Sequence, residues 1–414
     1  MAVADVKLPS RLYLTRGLQQ RIVAGVLFCL LSGFTLCTLD GGEIAQLVIS
    51  AGVLLFSAYA LLFGVENKMR FTLPVACLLA MTLYGVVQTL WLPQKIVYDG
   101  WLGVLFWLTV AAVVFLATHV FEDDGIAAQF RSAFVIFGSA VCLLDLLEQA
   151  SQTNKYYGLI QSKFATINGP FAYWNNFAQF VELFLPMTLW LGISRRRLQN
   201  TFLGLSALQI AAVIASGSRA GTVLVIVELI AVILLAYARN RKRSFLAAAG
   251  TVVLLSGVFV YAAGFDTLFR KLQQKDQLQV RREINRSSLE MIRARPLTGW
   301  GLNTYVPVYR MFAHYDDGTY VNRAHNDWLQ FAAEGGIPFA ALMALVFFWS
   351  IRPAIRSVWG LGVIAVGLHA LVDYPFARLG VCAWYFALIG MLAVWREHES
   401  SGVRRRKALR ESAA

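Results

Sequence analysis

Residues 101–121 read WLGVLFWLTVAAVVFLATHVF and contain no aspartate, glutamate, lysine or arginine. A helix of about 20 apolar residues is long enough to cross the hydrocarbon core of a bilayer. Eleven further apolar runs occur along the chain, so the sequence predicts an all-α polytopic membrane protein with about twelve transmembrane helices. The predicted segments lie near residues 22–39, 44–64, 71–92, 101–121, 126–148, 176–193, 201–216, 222–238, 245–264, 328–351, 358–373 and 380–395.

The composition of the whole chain agrees with this prediction. Of its 414 residues 58% are hydrophobic and 15% are charged, whereas soluble proteins carry roughly 25% charged residues. A large soluble domain is therefore excluded. The sequence also has no phosphate-binding glycine loop or nucleotide fingerprint. Its five cysteines lie in apolar runs without metal or redox spacing, so we predict neither a disulfide framework nor a bound metal.

The net charge of +13 reflects an excess of basic residues, most of which are predicted to lie on one side of the membrane. With a cytoplasmic N-terminus, 22 of the 37 lysines and arginines lie on the cytoplasmic side, as the positive-inside rule requires. Both termini are then cytoplasmic, and no nucleic-acid partner is indicated. We divide the chain into transmembrane helices over 1–264, an outward helical loop over 265–325, transmembrane helices over 326–396 and a basic cytoplasmic tail over 397–414.

The outward segment 265–325 is basic, with ten lysines and arginines against six acidic residues. Its stretch Arg281–Arg293 predicts a helix, because Ile284, Leu289 and Met291 recur at helical spacing between charged residues. A basic exported loop suggests an anionic ligand. The alternative is that long exported loops escape the charge rule and that these side chains meet lipid phosphates.

Arg219 lies in the stretch SGSRAG, residues 216–221, between two apolar segments. An arginine fork with main-chain amides around it can bind phosphate oxygens, and a helix N-terminus favours an anion. The alternative is an arginine that only extends its side chain to the membrane surface.

His325 opens the stretch HNDWLQFAAEGG, residues 325–336, at the start of a predicted helix. Asn326 or Asp327 can cap that helix, which leaves His325 just above the membrane beside the basic loop. An imidazole, with a usual pKa of about 6.5, can take a proton from a hydroxyl at neutral pH. The alternative is a structural histidine at a helix end.

Two other histidines are interpreted as structural or solvated. His369 and Asp373 stand four residues apart, so a shared helix face predicts that they form a pair. His314 lies in a polar stretch and is predicted to face solvent.

Four motifs in order resemble those of the bacterial O-antigen ligase and O-antigen polymerase superfamily of polytopic glycosyltransferases. HNDWLQFAAEGGI (325–337) is similar to its H-N-x-x-L-x-x-x-x-E-x-G motif, and SRAG (218–221) to its S-R-x-G turn. GPFAYWNNFA (169–178) is similar to its asparagine-containing helix start. Residues 281–301 resemble its periplasmic helix and P-L-x-G-x-G turn. Together the matches cover the stretch from 168 to 337.

The resemblance implies transfer of a glycan from undecaprenyl diphosphate to a hydroxyl, on the periplasmic face of the Gram-negative inner membrane, without metal or other cofactor. His325 would be the base that deprotonates the acceptor hydroxyl. Arg219 and Arg281 would stabilise the diphosphate leaving group. The remaining candidate substrate-binding residues are Arg282, Arg286, Arg293, Arg323, Glu334 and either or both of Asn175 and Asn176.

The length of 414 residues and the modest loop favour an O-antigen ligase, whose acceptor is the lipid A core. An O-antigen or exopolysaccharide polymerase and a protein O-oligosaccharyltransferase would use the same donor. A transporter or flippase explains twelve helices equally well, but it is expected to have charged or broken helices near the bilayer midplane. The unusual residues of this sequence are instead expected to gather at the outward surface.

Overall fold

The computed structural model describes residues 16–39, 42–63, 71–91, 96–151, 153–163, 167–240, 244–263, 278–314 and 321–411. This part of the chain is predominantly helical, and one short antiparallel sheet pairs β1 (Lys155–Tyr156) with β2 (Ile160–Gln161). The α-helices are α1 (Arg16–Leu36), α2 (Glu43–Phe63), α3 (Leu73–Trp91), α4 (Val97–Val120), α5 (Asp124–Ser151), α6 (Trp174–Glu182), α7 (Leu185–Ser194), α8 (Gln199–Ser216), α9 (Arg219–Asn240), α10 (Ser244–Ala263), α11 (Leu278–Ala294), α12 (Tyr305–Tyr309), α13 (Asp327–Ser357), α14 (Leu361–His369) and α15 (Leu379–Glu411). Two 3₁₀ helices lie at Arg196–Leu198 and Pro375–Ala377.

Nine helical segments of the described residues are long and apolar enough to cross a membrane. The all-α polytopic architecture agrees with the prediction, but the count of twelve spans is not confirmed. The predicted segments 201–216, 245–264 and 358–373 coincide with α8, α10 and α14, which are not among these nine segments of the described residues; α14 has only nine residues.

Two predicted spans are interrupted. The segment 176–193 divides into α6 and α7 because the chain turns at Leu183 and Phe184, and Pro186 then stands in the first turn of α7. The segment 358–373 is helical only as far as His369 in α14. Pro375 follows a few residues later. Helical geometry is unfavourable for the residue before a proline, so the helix does not continue to Pro375 and the chain forms a series of turns instead.

The core of the bundle forms around α15, whose membrane segment is the most buried of the nine spans. Trp384 in α15 stacks on Phe134 of α5, with ring centroids 3.9 Å apart and an interplanar angle of 4°. Phe28 of α1 meets the same indole edge-on at 5.5 Å. The first and last spans are therefore packed together, and the helices between them surround this aromatic centre.

A second, smaller core is formed by residues of α11, α12, the turn before α13 and α13 itself. The predicted helix Arg281–Arg293 is confirmed as α11, and it buries Ile284 and Met291 against Tyr305 and Val308 of the α12 region. This core fixes α11 above the bundle.

Some predictions fall outside the described residues. They include Lys7 and Arg11 of the N-terminal tail and residues 265–277 of the predicted outward loop. At the other end of the chain, α15 continues to Glu411, so no helix end marks the predicted boundary between residues 396 and 397.

Candidate functional site

His325 lies in the turn before α13. Asn326 caps the helix, because its side-chain oxygen accepts a hydrogen bond from the Leu329 amide at 3.2 Å. His325 itself has a φ of +49°, a left-handed conformation that non-glycine residues seldom adopt. Such strain persists only where the surroundings impose it, and it often marks a functional site. The turn directs the imidazole towards the segment that follows α14.

Asp373 is the carboxylate that faces His325. Its Oδ1 lies 3.5 Å from His325 Nδ1, and the Asp373 side chain is fully buried while that of His325 is 22% exposed. The Tyr374 amide donates to the same Oδ1 at 2.9 Å, and the Asn175 side chain donates to Oδ2. Arg281 approaches from α11, with Nη2 at 3.7 Å from Oδ2. A histidine, a carboxylate, an amide and an arginine from four parts of the chain thus meet at one point.

The electrostatics of this cluster favour an ionised carboxylate. Burial alone would raise the pKa of Asp373, but His325, His369 and Arg281 outweigh burial and lower its pKa below the usual value. Asp373 is therefore a fixed negative charge beside the Nδ1 side of His325. Nδ1 of His325 lies within ion-pair distance of Asp373 Oδ1 but, like Nε2, makes no hydrogen bond within the described residues.

Two tyrosines form one wall of the cluster. The rings of Tyr173 and Tyr374 stack at 5.6 Å with an interplanar angle of 6°, and His325 meets the Tyr374 ring edge-on at 4.9 Å. Burial, with the adjacent Asp373 charge, raises the pKa of Tyr374 to about 12. Both phenols are therefore neutral at physiological pH. Neither tyrosine was singled out in the sequence, because the cluster brings together residues that are distant along the chain.

The two asparagines of the helix start have different surroundings. Asn175 donates to Asp373 and accepts a hydrogen bond from Ser218 Oγ at 2.6 Å. Asn176 instead donates to Gln179 at 2.9 Å, within its own helix α6. Only Asn175 therefore contacts the cluster.

Ser218 connects the cluster to the turn that contains Arg219. Its Oγ donates to Asn175 and accepts the Gly221 amide at 3.1 Å, which satisfies a free amide at the start of α9. A side chain on Gly221 would place its Cβ 2.5 Å from Cβ of Ala178, so glycine permits the close contact of α9 with α6. Arg219 is the first residue of α9, and its side chain is exposed.

The arginines of α11 divide between two faces of the helix. Arg281 turns inward, where it donates to the Val372 carbonyl at 2.9 Å and lies 3.5 Å from the Tyr173 hydroxyl. Arg282, Arg286 and Arg293 lie on the exposed face. Of these three, Arg286 forms an ion pair with Glu290 at 3.6 Å.

Glu334 lies at a kink in α13. Its carboxylate accepts hydrogen bonds from the amides of Asn303 and Tyr305, at 2.9 and 3.1 Å, and from the side chain of Gln330 at 3.1 Å. The kink occurs at Gly336, whose φ of +71° and ψ of 177° require glycine. Glu334 is thus held by backbone donors from the start of α12 and from the stretch just before it.

The turn at 296–301 fills this kink. The amides of Trp300 and Gly301 donate to the carbonyls of Ala333 and Glu334, at 3.0 and 2.9 Å. A Cβ on Gly299 would lie 2.2 Å from the Glu334 carbonyl oxygen. Two glycine motifs that the sequence showed separately are therefore halves of one backbone joint.

Arg323 and Asp327 each lie two positions from His325 in the chain. Both line a cavity of about 240 Å³ between α2, α4 and α13. Arg323 lies within electrostatic reach of Asp327 and Glu334. The Asp327 carboxylate accepts the Phe376 amide at 2.7 Å.

The predicted pair of His369 and Asp373 is wrong. α14 ends at His369, so the two residues do not share a helix face. His369 Nδ1 instead lies 2.7 Å from Oε1 of Glu182 in α6, and both side chains are fully buried. Glu228 of α9 is also buried. Neither glutamate was singled out from the sequence, and the expectation that unusual residues gather at the outward surface is therefore incomplete.

His314 is exposed, as predicted. Its Nε2 also lies 2.6 Å from Oε2 of Glu290. Among the described residues, no group of three or more histidine, cysteine, aspartate or glutamate side chains is arranged to hold a metal ion.

No curated protein sequence matches the chain. Residues 204–344 match the family model described as O-antigen ligase, and this range contains Arg219, Arg281, His325 and Glu334. This match confirms the resemblance of residues 204–344 to the O-antigen ligase and O-antigen polymerase superfamily.

Proposed function

We propose that the protein is an O-antigen ligase of lipopolysaccharide biosynthesis. In this proposal it transfers a glycan from undecaprenyl diphosphate to a sugar hydroxyl of the lipid A core, at the periplasmic face of the inner membrane, with both termini in the cytoplasm. The observation that carries the proposal is the pairing of His325 with the buried carboxylate of Asp373, next to Arg281.

The pairing supports a role for His325 as a general base. A negative charge beside Nδ1 favours the tautomer with its proton on Nδ1 and stabilises the imidazolium that forms during proton transfer. Nε2 is then the basic nitrogen. It takes the proton of the acceptor hydroxyl, whose oxygen forms a bond to the anomeric carbon.

The bond from that carbon to the diphosphate breaks at the same time, and its electron pair leaves with the diphosphate. Attack opposite to the leaving group inverts the anomeric configuration. No metal is required in this scheme, because arginine donors carry the electrostatic stabilisation.

Arg219 and Arg281 are the proposed donors to the diphosphate. A guanidinium can form two parallel hydrogen bonds to phosphate oxygens, and such bonds strengthen as negative charge develops on the leaving group. Arg281 is held in place by the Val372 carbonyl. Arg219 stands at the N-terminus of α9, where an anion is favoured.

The other candidate residues take different roles in this proposal. The exposed Arg282, Arg286 and Arg293 would bind phosphates of the lipid A core above the membrane. Asn175 would orient Asp373. Glu334 would position the joint between α13 and the 296–301 turn rather than contact substrate, because backbone amides already occupy its oxygens.

The proposal is tested by glycan transfer from the lipid-linked donor to lipid A core, with purified full-length protein in liposomes. We expect Arg219→Ala to lower the transfer rate by roughly 10²-fold or more, as for removal of one donor from a site of charge development. Arg352→Ala, on the predicted cytoplasmic side, is the control. Transfer at the wild-type rate in Arg219→Ala contradicts the mechanism.

Deletion of the gene separates a ligase from a polymerase. Loss of the whole lipopolysaccharide ladder, with long lipid-linked polymer accumulating, is expected of a ligase. A core that carries a single repeat would show a polymerase instead.

A further inference from the structure

The segment around His325 separates two different spaces. On one side His325 faces Asp373 and Tyr374. On the other side, Arg323 and Asp327 line the cavity between α2, α4 and α13. Phe376 and Ala377, which follow Asp373 and Tyr374 in the chain, line the same cavity. The same two stretches of chain, 323–327 and 373–377, thus form a wall between the candidate diphosphate site and this cavity.

The lining of the cavity has a polar end formed by Asn303, Arg323, Asp327, Gln330 and Glu334. Glu43, Gln46 and Ser50 of α2 are further polar residues of the lining. The apolar walls are formed by side chains of α2, α4, α13 and the following segment, including Leu47, Leu102, Leu105, Phe106, Trp107, Phe331, Phe339 and Phe376. Such a lining suits an amphipathic ligand with a polar head and a hydrocarbon chain.

The position of the cavity gives it access to the bilayer. It lies beneath the outward end of α2, at Glu43 to Ser50, and α2 is the least buried of the nine spans. One edge of the cavity is formed by Leu47, a partly exposed residue of this peripheral helix. A lipid can therefore reach the cavity from the membrane without crossing the bundle.

Within the described part of the chain, the acidic side chains at the polar end are hydrogen-bonded, whereas its arginine is not. The carboxylate of Glu334 is occupied by two backbone amides and Gln330, and that of Asp327 accepts the Phe376 amide. Arg323, in contrast, makes no hydrogen bond to any of the residues that the structure describes. An arginine at a membrane surface is a strong donor to phosphate. The head group that best completes this end of the cavity is therefore a phosphate.

We propose that this cavity binds a phosphorylated lipid, with its phosphate on Arg323 and one hydrocarbon chain along α2 and α4, and that this lipid is the acceptor. The assignment to the acceptor rests on the proposed function. A transferase that joins two membrane-anchored substrates must bring both to one base without their chains crossing. The wall that contains His325 has a separate space on each side, so the donor can lie towards Arg281 and the acceptor towards Arg323.

The size of the cavity limits what it holds. Its volume of about 240 Å³ is below the roughly 300–1,000 Å³ of sites that enclose a small ligand. It therefore takes one phosphate-bearing end and the adjoining chain, and the rest of the lipid stays in the bilayer.

The test measures lipid binding to the full-length protein in phosphatidylcholine nanodiscs, without a donor substrate. The probes are lipid A, lipid A from which phosphates have been removed, undecaprenyl diphosphate and phosphatidylglycerol. We expect wild type to bind lipid A at least tenfold more tightly than dephosphorylated lipid A, and Arg323→Gln to abolish this difference. Leu47→Trp, which narrows the cavity, is expected to weaken lipid A binding at least tenfold.

Two matched variants are controls. Val48→Trp adds the same bulk to a 67% exposed position of α2 that does not line the cavity, and Arg310→Gln removes an exposed outward arginine. Both are expected to bind lipid A as wild type does. Monodisperse elution and an unchanged circular dichroism spectrum establish that each variant is folded, and Leu47→Trp tests the cavity even where Arg323→Gln does not fold.

Three results would overturn the proposal. One is wild-type binding of lipid A by both cavity variants. Another is a loss of undecaprenyl diphosphate binding with lipid A binding intact, which would make the cavity a donor site. The third is equal competition by phosphatidylglycerol, which would make it a site for bulk anionic lipid. The binding test does not depend on glycan transfer. A protein that binds lipid A through Arg323 but transfers no glycan would therefore contradict the proposed function and leave the lipid-binding cavity standing.

Discussion

Asn175 and Asp373 are joined by a side-chain hydrogen bond although they lie 198 residues apart in the chain. Asn175 also accepts the hydroxyl of Ser218, and Asp373 faces His325. A row of polar side chains therefore runs from the start of α9, through the start of α6, to the turn before α13. It connects the S-R-x-G turn with the histidine motif.

His325→Ala is expected to lower glycan transfer by roughly 10²–10⁴-fold, the usual contribution of a general base. The measurement is the initial rate with saturating lipid-linked donor. His314→Ala is the control, because His314 is paired with Glu290 on the exposed side of α11. A rate in His325→Ala within twofold of wild type would show that another group takes the proton.

The two adjacent asparagines are expected to differ in effect. Asn175→Ala removes a donor to Asp373 and should lower the transfer rate strongly, because the carboxylate is no longer oriented towards His325. Asn176→Ala removes only the bond to Gln179 within α6 and should affect stability more than rate. Transfer rates normalised to folded protein distinguish them, and equal losses of rate would contradict the assignment of Asn175.

Asp373→Asn is expected to change stability in a pH-dependent way. The pKa of Asp373 is lower in the folded protein than in the unfolded chain, where it is about 3.9. The ionised carboxylate therefore stabilises the fold above pH ~4, and this contribution disappears as the pH falls through the lower folded pKa. Thermal unfolding should show a constant deficit for Asp373→Asn between pH ~5 and ~8 that shrinks in more acidic buffer. A deficit that grows on acidification would mean that the pKa is raised.

Gly336→Ala is expected to disrupt the joint between α13 and the 296–301 turn. A Cβ at this position would lie 2.5 Å from the Leu297 carbonyl oxygen, and the positive φ is unfavourable for alanine. We expect a large fall in the yield of folded protein. Gly257→Ala in α10 is the control, since no atom lies within 4 Å of its added Cβ. Normal yield and thermal stability in Gly336→Ala would show that the joint tolerates another backbone conformation.

The buried pair of Glu182 and His369 is expected to be structural. Glu182→Ala leaves His369 without its partner, and removal of one member of a buried ion pair costs about 3–5 kcal/mol. Glu228→Gln is the comparison, because neither carboxylate oxygen of Glu228 makes a hydrogen bond within the described residues. Thermal unfolding in detergent should show a large loss for Glu182→Ala and little or none for Glu228→Gln. The reverse order would mean that Glu228 has the more important contact.

Several features could be predicted from local sequence. The amphipathic spacing over Arg281–Arg293 predicted α11. A helix that packs on one side has apolar residues at every third or fourth position and polar residues between them. Asn326 was one of two possible caps, and its side chain caps α13. The twelve apolar runs coincide with helical segments, two of which are interrupted. Nine helical segments of the described residues have the length and hydropathy of a span, so the count of twelve spans is not confirmed.

What the sequence determined by itself was membrane insertion, the sites of most helices, the family motifs and the identities of His325 and Arg219 as candidates. These depend on hydrophobicity, periodicity and residue type, which are local properties. The tertiary structure decided which groups meet: Asp373 with His325 instead of His369, Asn175 instead of Asn176, and the 296–301 turn with the kink at Gly336. Each of these contacts joins segments far apart in the chain, so its geometry depends on how the helices pack and not on spacing along any one of them.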